Sequence, residues 1–381
     1  MQRVSTSPRK DWLSVVTKQG LTYNRLPDGR DYWNESAYYE LTKNEAKAIE
    51  DATNELQNMC LAAGQYVIDN ARYGDFGIPG DATELIRKTW TAEPPALYGR
   101  MDLAFNGSGP PKLLEYNADT PTSLIEAAVI QWFWMKDKFP RGAIQFNSIH
   151  DKLIWKWKDI KPYMKQPVFF AHCELEEDTM TVCYLRQTAE DVGIETRGLL
   201  MNQVGWDIRK QQFAGLEGER IETIFKLYPW EMMVKESFWK NVMQAYPAPI
   251  WIEPIWKMLF SNKALLAILW EMYPDNQYLL PAYLDDPHDL LNYVKKPKLG
   301  REGANIGIYK SGILQQETDG QYAGSGFVYQ ALTDATHFGS KSAVVGSWLV
   351  ADAGACGIGI RESDSPITGN YSQFVPHIVE E

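Results

Sequence analysis

A carboxylate and a carboxamide stand two residues apart in Leu113-Leu114-Glu115-Tyr116-Asn117. Tyr98-Gly99-Arg100-Met101-Asp102 precedes them and Ala118-Asp119-Thr120-Pro121-Thr122-Ser123 follows at once. On an extended strand alternate side chains share a face, so Glu115 and Asn117 point one way and Leu114 and Tyr116 the other. Two oxygen ligands therefore converge, and Asp102 offers a third. Hard cations such as Mg2+ take one or two carboxylates and complete their shell with phosphate oxygens and water. The chemistry expected here is the binding of a magnesium-bound nucleotide, with Asp102, Glu115 and Asn117 as the metal side.

These side chains need a frame. A strand near Ala96 to Phe105, a turn at Gly107-Ser108-Gly109-Pro110-Pro111 and a return strand from Lys112 to Asn117 form a hairpin that brings Asp102 toward Glu115. On the same strand face as Asp102, Arg100 is a candidate for stabilising charge on a transferring group. Thr120 reads as an N-cap and Pro121 as the first helical residue, which predicts a helix running through Trp134. Its first free N–H groups, near Thr122 and Ser123, are placed to hold an anion. Upstream, Thr42 and Glu45 form a capping box before an apolar stripe of Ile49, Ala52, Leu56, Met59, Ala63 and Val67, a second helix. Cys60 adjoins that stripe and reads as a small buried hydrophobe.

From Val168 the order is strand to Ala171, an acidic turn with Glu174, Glu176, Glu177 and Asp178, a helix from Thr179 to Val192, and a strand from Ile194 to Leu200. This is a βαβ unit with acids at the strand's carboxyl end, where such sheets place ligands. The acids also fit a solvated helix N-terminus. Lys257 to Tyr273 reads as an amphipathic helix carrying Lys263, and Leu290 to Lys296 as a strand. Gly300-Arg301-Glu302-Gly303-Ala304-Asn305 follows it and leads into a strand from Ile306 to Tyr309. Such a turn either lays backbone N–H groups over phosphates or is an ordinary hairpin. It matches neither GxxxxGK[ST] nor a GxGxxG that opens a helix. Strands at Gly326 to Leu332, Ala343 to Val350 and Gly357 to Ile360 imply an antiparallel sheet. Arg361, next after them, suits either an anion or a structural salt bridge.

The chain has 381 residues, 45% hydrophobic and 23% charged, enough for a large core. At this length two or three lobes are expected, although a single large α/β unit also fits, with approximate lobes at 1–160, 161–255 (holding the βαβ unit) and 256–381. A formal charge of -11 opposes a general nucleic-acid binder, which needs a basic face. Cys60, Cys173, Cys183 and Cys356 make no CxxC pair, so a zinc knuckle or dense disulfide framework is unsupported. No run of about 18 apolar residues occurs, and the expectation is a soluble cytoplasmic protein without membrane attachment. Most of the 14 Trp and 20 Tyr are expected in cores and interfaces.

Taken in order, YGRMD, LLEYNADTPTS, YVKKPKLGREGAN, VVGSWL and CGIGIRE closely resemble the synthetase domain of the glutathionylspermidine synthase family. The match is to the synthetase alone, as in the short acid–amine ligases, and the amidase domain of the bifunctional members is expected to be missing. The resemblance implies an α/β, circularly rearranged ATP-grasp fold with mixed and antiparallel sheets, in which the ExN metal motif precedes the nucleotide-binding lysines. It further implies that Lys263 and Lys296 contact ATP phosphates, that Gln330 lies beside the adenine-binding strand, and that the Gly300 to Gly303 turn is a phosphate lid. The acid substrate is implied beside Thr120, Thr122, Ser123 and Arg361. Glu176 and Glu177 then fall on the substrate-binding side, suited to an ammonium group.

The implied activity is ATP- and Mg2+-dependent joining of a small-molecule acid to an amine through an acyl phosphate, with a peptide or glutamyl-type acid and a polyamine or amino acid as candidates. Glutathionylspermidine synthesis itself and a catalytically silent ATP-binding protein are the alternatives. In Lys226-Leu227-Tyr228-Pro229-Trp230-Glu231 the family's aromatic-acidic ending is kept, with Leu227 where a substrate-contacting hydroxyl is looked for.

Overall fold

The computed structural model describes residues 1–369 and 371–380 of this mixed α/β protein. The expected hairpin forms from the strands Tyr98–Ala104 and Lys112–Asn117, with Asp102 opposite Glu115 and Arg100 opposite Asn117. Tyr98–Ala104 is buried at every position because its other edge receives a strand from much later in the chain. The resulting antiparallel sheet runs Gln373–Val375, Gly354–Ser363, Lys341–Val350, Tyr98–Ala104 and Lys112–Asn117, with His337–Phe338 paired to Lys341–Val350. The last two long strands exceed their sequence expectation. Arg361 consequently lies inside Gly354–Ser363, opposite Val344, rather than after a strand end.

The capping box forms as expected. The Thr42 hydroxyl accepts from the Glu45 amide at 3.2 Å, and Glu45 accepts from the Thr42 amide at 2.7 Å. The helix it opens, Lys43–Asp69, buries its whole apolar stripe and packs on Gly354–Ser363 and Lys341–Val350. Inside that contact the hydroxyls of Thr53 and Ser347 meet at 2.7 Å.

A second sheet is wholly parallel, in the order Ile250–Ile252, Thr223–Leu227, Val168–His172 and Thr196–Leu200. The helix Glu176–Glu190 connects its first two strands in chain order, as the βαβ pattern required. A third sheet, antiparallel, runs Ala282–Leu284, Phe327–Ala331, Tyr293–Pro297, Gly307–Lys310 and Ile313–Glu317. The glycine turn joins two of its neighbouring strands. Gln2–Ser5, Ala37–Leu41 and His377–Val379 form a small sheet of their own. Among the described residues no helix is long and apolar enough to cross a membrane.

Two local expectations fail for identifiable reasons. The helix after the hairpin starts at 124 rather than at Thr120 and Pro121, and it carries a π-helical turn over Glu126–Ile130 before Gln131–Lys138. Tertiary bonds consume the intended cap. The Thr120 hydroxyl accepts from Arg301 at 3.0 Å and the Thr122 carbonyl from Arg100 at 2.6 Å, while Ser123 is held at φ 65°, in the left-handed region. Likewise Lys257 to Tyr273 is not one amphipathic helix. Buried Asn262 donates to the Phe76 carbonyl at 2.8 Å and accepts from the Ala264 amide at 2.9 Å. The helix proper, Ala264–Met272, therefore begins just after Lys263 and is buried along its first six residues.

One ion pair ties the segment after the hairpin to the parallel sheet. Lys226 Nζ lies 2.6 Å from Asp119 Oδ1, both side chains being 0% exposed, and Asp119 Oδ2 accepts from the Trp230 amide at 2.8 Å. Burial pushes the Asp119 carboxyl up and the Lys226 ammonium down, each toward neutrality, against their mutual attraction. Removing one partner strands the other without water. Lys226→Met is expected to lower unfolding stability by about 3–5 kcal/mol in urea titrations, with most of it recovered when Asp119→Leu is added.

Candidate active site

Register decides which polar groups meet. Arg100 and Asp102 project from one face of Tyr98–Ala104, and Arg100 Nε donates to Asp102 Oδ1 at 2.6 Å. The guanidinium lies across Gly346 on the neighbouring strand, where a Cβ would stand 2.8 Å from Arg100 Cδ. Only glycine leaves that path open. Arg361 reaches over the same strand to hydrogen-bond Asp102 Oδ2. On the hairpin's other strand Asn117 donates to Glu115 Oε1 at 3.0 Å, and Lys263 lies 2.8 Å from Glu115 Oε2. The three expected metal ligands thus sit together, each carboxylate balanced by a cation. Burial works to raise the Glu115 carboxyl, but the charge and hydrogen bond of Lys263 and the Asn117 bond outweigh it and hold it well below the usual range.

Behind this edge opens a cavity of about 400 Å³ between the hairpin and the third sheet. Of the expected residues, Asp102, Glu115, Lys263, Lys296, Gln330 and Arg361 line it, together with the Gly300 and Gly303 backbone. Lys296 donates to Gln330 Oε1 at 2.7 Å and to the Leu114 carbonyl at 3.1 Å, while Gln330 donates to the Leu113 carbonyl at 2.9 Å. Lys263 also donates to the Gly300 carbonyl at 2.7 Å. Val294, Ile306, Ile308 and Leu332 add apolar surface to its lining. Gly303 sits at φ 71°, where a Cβ would come 2.6 Å from the Thr368 carbonyl, so this turn closes against the end of the chain only with glycine.

Thr120, Thr122, Ser123, Glu176 and Glu177 lie outside that lining. Thr120 accepts from Arg301, an arginine within the glycine turn that also bonds Glu231 at 3.0 Å. Thr122 offers its carbonyl to Arg100 rather than a free N–H. Ser123 Oγ lies 3.2 Å from the Tyr32 hydroxyl, which donates to Glu126 Oε1 at 2.8 Å. Glu126 is fully buried and its other oxygen has no protein partner. Burial first, then the charge of Glu177, lifts the Glu126 carboxyl to about 7, and the same two causes lift Asp178 to about 7. Glu177 thus acts through its charge on both Glu126 and Asp178, whereas Glu176 is exposed at the helix start, its charge reaching Tyr23.

Arg301, Asp119 and Glu126 carry much of this geometry without having been singled out by the sequence. Arg301 had a signal, a cation inside a glycine turn. Glu126 had a weaker one, a carboxylate in an otherwise apolar run.

A charged hairpin and a lysine-bearing sheet facing each other over a cavity, with a parallel sheet alongside, define a mixed α/β protein of glutathione synthetase-like fold. The apo structure of a glutathione synthetase-like effector from Globodera pallida superposes with a TM-score of 0.61 over 96% of this chain and 97% of that one, at 9% identity. The profile of the glutathionylspermidine synthase preATP-grasp family matches residues 3–380, and the chain belongs to that family. Its relatives include a Haemophilus influenzae protein named “Putative acid–amine ligase”, 39% identical over 99% of both chains. The trypanothione synthetase of Crithidia fasciculata is 29% identical over 82% of this chain. The bifunctional glutathionylspermidine synthetase/amidase of Escherichia coli is 27% identical over 90%. This chain spans 52% and 59% of those two proteins. By its family it is a ligase that forms C–N bonds.

Burial lowers Lys296 to about 8, helped by the nearby charge of Lys263 and opposed by Glu115 and Asp102. Its ammonium is therefore lost as pH rises through about 8, and with it any attraction this side chain has for an anion. ATP affinity, measured by titration calorimetry, is expected to fall by up to about tenfold per pH unit above that point. Lys296→Gln should bind weakly at every pH and lose the dependence.

Proposed function

We propose that this protein is an ATP-dependent carboxylate–amine ligase that forms an amide through an acyl phosphate. The observation that carries the reading is the junction at Asp102. One guanidinium on it, Arg361, borders the cavity, and the other, Arg100, reaches the Thr120 to Ser123 turn. Nucleotide and acid would meet there. In this reading Lys263, Lys296, Gln330 and the Gly300 to Gly303 backbone bind ATP, and Thr120, Thr122, Ser123 and Arg361 bind the acid. The fold is then a rearranged ATP-grasp, since Glu115 and Asn117 precede both lysines in the chain. Residues 1–160 supply the metal and acid side, 161–255 the amine side and 256–381 the nucleotide side, with strands of the first and last interleaved.

The donor set fits magnesium. Two carboxylates and an amide oxygen are hard ligands, and paired strands already hold them together. Asp102, Glu115 and Asn117 would hold the ion, which supplies charge neutralisation of the phosphates when bound. The chain's own residues do the rest. Lys263 and Lys296 place the γ-phosphoryl in line with the acid's carboxylate oxygen, which forms the new P–O bond as ADP leaves. The amine nitrogen then attacks the acyl carbon, phosphate departs, and the amine's proton goes to solvent. Arg100, fixed by Asp102 and by the Thr122 carbonyl, faces the charge that grows on the transferring group and on the tetrahedral carbon. Glu177 offers its carboxylate to an ammonium group, and Glu176 lies on the same helix start. Candidate substrates are a peptide or glutamyl-type acid and a polyamine or amino acid, acted on in the cytoplasm.

The test supplies MgATP with panels of such acids and amines, the carboxylates being labelled with heavy oxygen. ADP release that needs both partners, an amide product by mass spectrometry and label transferred into inorganic phosphate are expected. ADP without amide, or unlabelled phosphate, would rule the mechanism out. Arg100→Ala should lower turnover by about 100-fold or more while leaving ATP affinity within about threefold. Glu115→Gln should abolish metal-dependent turnover with little change in melting temperature.

A further inference from the structure

Of the segments that carry the family resemblance, VVGSWL supplies the gap at Gly346, and its tryptophan stands beside the side chain that this gap admits. Trp348 lies opposite Arg100 in the register of the paired strands, two residues on from Gly346, which lies opposite Asp102. Directly opposed residues of neighbouring strands share a face of the sheet. The Arg100 guanidinium accordingly lies over the Trp348 ring, its central carbon 5.6 Å from the ring centroid. At that separation a cation is attracted by the π face.

The indole is held firmly. Tyr98 stacks on it at 6.0 Å with 5° between the planes, and Tyr98 stacks in turn on Phe225 of the parallel sheet at 6.3 Å and 30°. The Tyr98 hydroxyl donates to the Pro121 carbonyl at 3.2 Å, which ties the column to the turn after the hairpin. Trp348 itself is 1% exposed, and among the described residues its Nε1 has no hydrogen-bond partner. A buried donor without a partner is destabilising, so packing alone would favour a ring that lacks one. Tryptophan does, however, have the strongest π face of the aromatic side chains.

What the ring adds is clear from the other contacts of Arg100. Its Nε and Nη2 donate to the Asp102 oxygens at 2.6 and 3.2 Å, and Nη1 donates to the Thr122 carbonyl at 2.6 Å. A guanidinium has five N–H groups, so one on each Nη remains. Both acceptors serve elsewhere as well, since Asp102 is shared with Arg361 and Thr122 belongs to the turn before the helix. The indole draws on the cation as a whole. It therefore holds Arg100 without using any of its donors.

We propose that Trp348 is a positioning residue for the transfer step: its π face keeps the Arg100 guanidinium where Asp102 and the Thr122 carbonyl place it, and leaves the remaining N–H groups to meet the charge on the transferring group. The inference rests on the ligase reading for the transfer, but the hold of Trp348 on Arg100 does not.

The test varies the electrons of the ring and not its shape. Tryptophans bearing one, two, three and four fluorines are placed at position 348 alone by stop-codon suppression, each fluorine draining the π face with little change in size. One readout is kcat and KM for MgATP with an active acid–amine pair. The other is the phenylglyoxal labelling rate of Arg100 by peptide mass spectrometry, with exposed Arg209 as the control. At unchanged melting temperature, kcat is expected to fall stepwise to at least about threefold below its starting value with KM within about twofold, and Arg100 labelling to rise at least about threefold while Arg209 stays level. Trp348→Phe, which forfeits no hydrogen bond, should keep more of kcat than Trp348→Leu. In an Arg100→Ala background Trp348→Leu should lower kcat no further.

A flat kcat series, flat Arg100 labelling, or an equal loss from Trp348→Leu with and without Arg100 would overturn the proposal. Amide synthesis with both series flat would sink the role of Trp348 and leave the ligase standing. Graded labelling in a protein that makes no amide would sink the ligase reading and leave Arg100 held by Trp348.

Discussion

A charge pair sealed from water on both sides joins the two sheets on which the site depends. Lys226 and Asp119 meet at 2.6 Å with neither side chain exposed, and the aromatic face of Trp230 lies 4.7 Å from the ammonium. Such a pair gives little net stability over an apolar one, yet it tolerates only one geometry, because either ion alone would be stranded. Asp119 is thereby fixed against the end of a parallel strand. The turn from Thr120 to Ser123 must then follow a path that no helix can take, and Trp230 and Glu231 are set where Arg301 can reach them.

Around that anchor the protein balances its own charges. Asp102 is held by two guanidiniums and Glu115 by an ammonium and an amide, and Lys263 and Asn117 hold the Glu115 carboxyl well below the usual range. The opposite condition holds a short way off. Burial and the charge of Glu177 raise both the Glu126 and the Asp178 carboxyls. In the proposed reaction the first side meets a phosphate and a metal and the second something positive. That division is electrostatic, and it follows the boundary between the six-stranded and the parallel sheet.

Much of the framework was legible because its signals are local. The capping box at Thr42, the hairpin through Glu115 and the βαβ unit from Val168 each rest on spacings of a few residues, and each formed close to its expected limits. Residues drawn together from distant places were legible only through the family resemblance. Asp102 and Arg361 are 259 residues apart, and no periodicity relates them. Where local signals failed, a distant partner had overridden them. Thr120 has the chemistry of an N-cap, but its hydroxyl serves an arginine 181 residues later, and Asn262 breaks a helical run because it must satisfy the Phe76 carbonyl.

The six-stranded sheet has a consequence for how the chain is made. Tyr98–Ala104 is hydrogen-bonded on one edge to Lys112–Asn117, which emerges from the ribosome almost at once. Its other edge stays open until Lys341–Val350 has been translated, and Arg361 comes later still. Throughout most of synthesis the nascent chain therefore carries an unpaired strand edge, an invitation to stray pairing that folding helpers must suppress. The same order is a safeguard. A chain stalled before its final strands displays Asp102 and Glu115 without the second guanidinium, so an incompletely made copy cannot assemble the junction at Asp102.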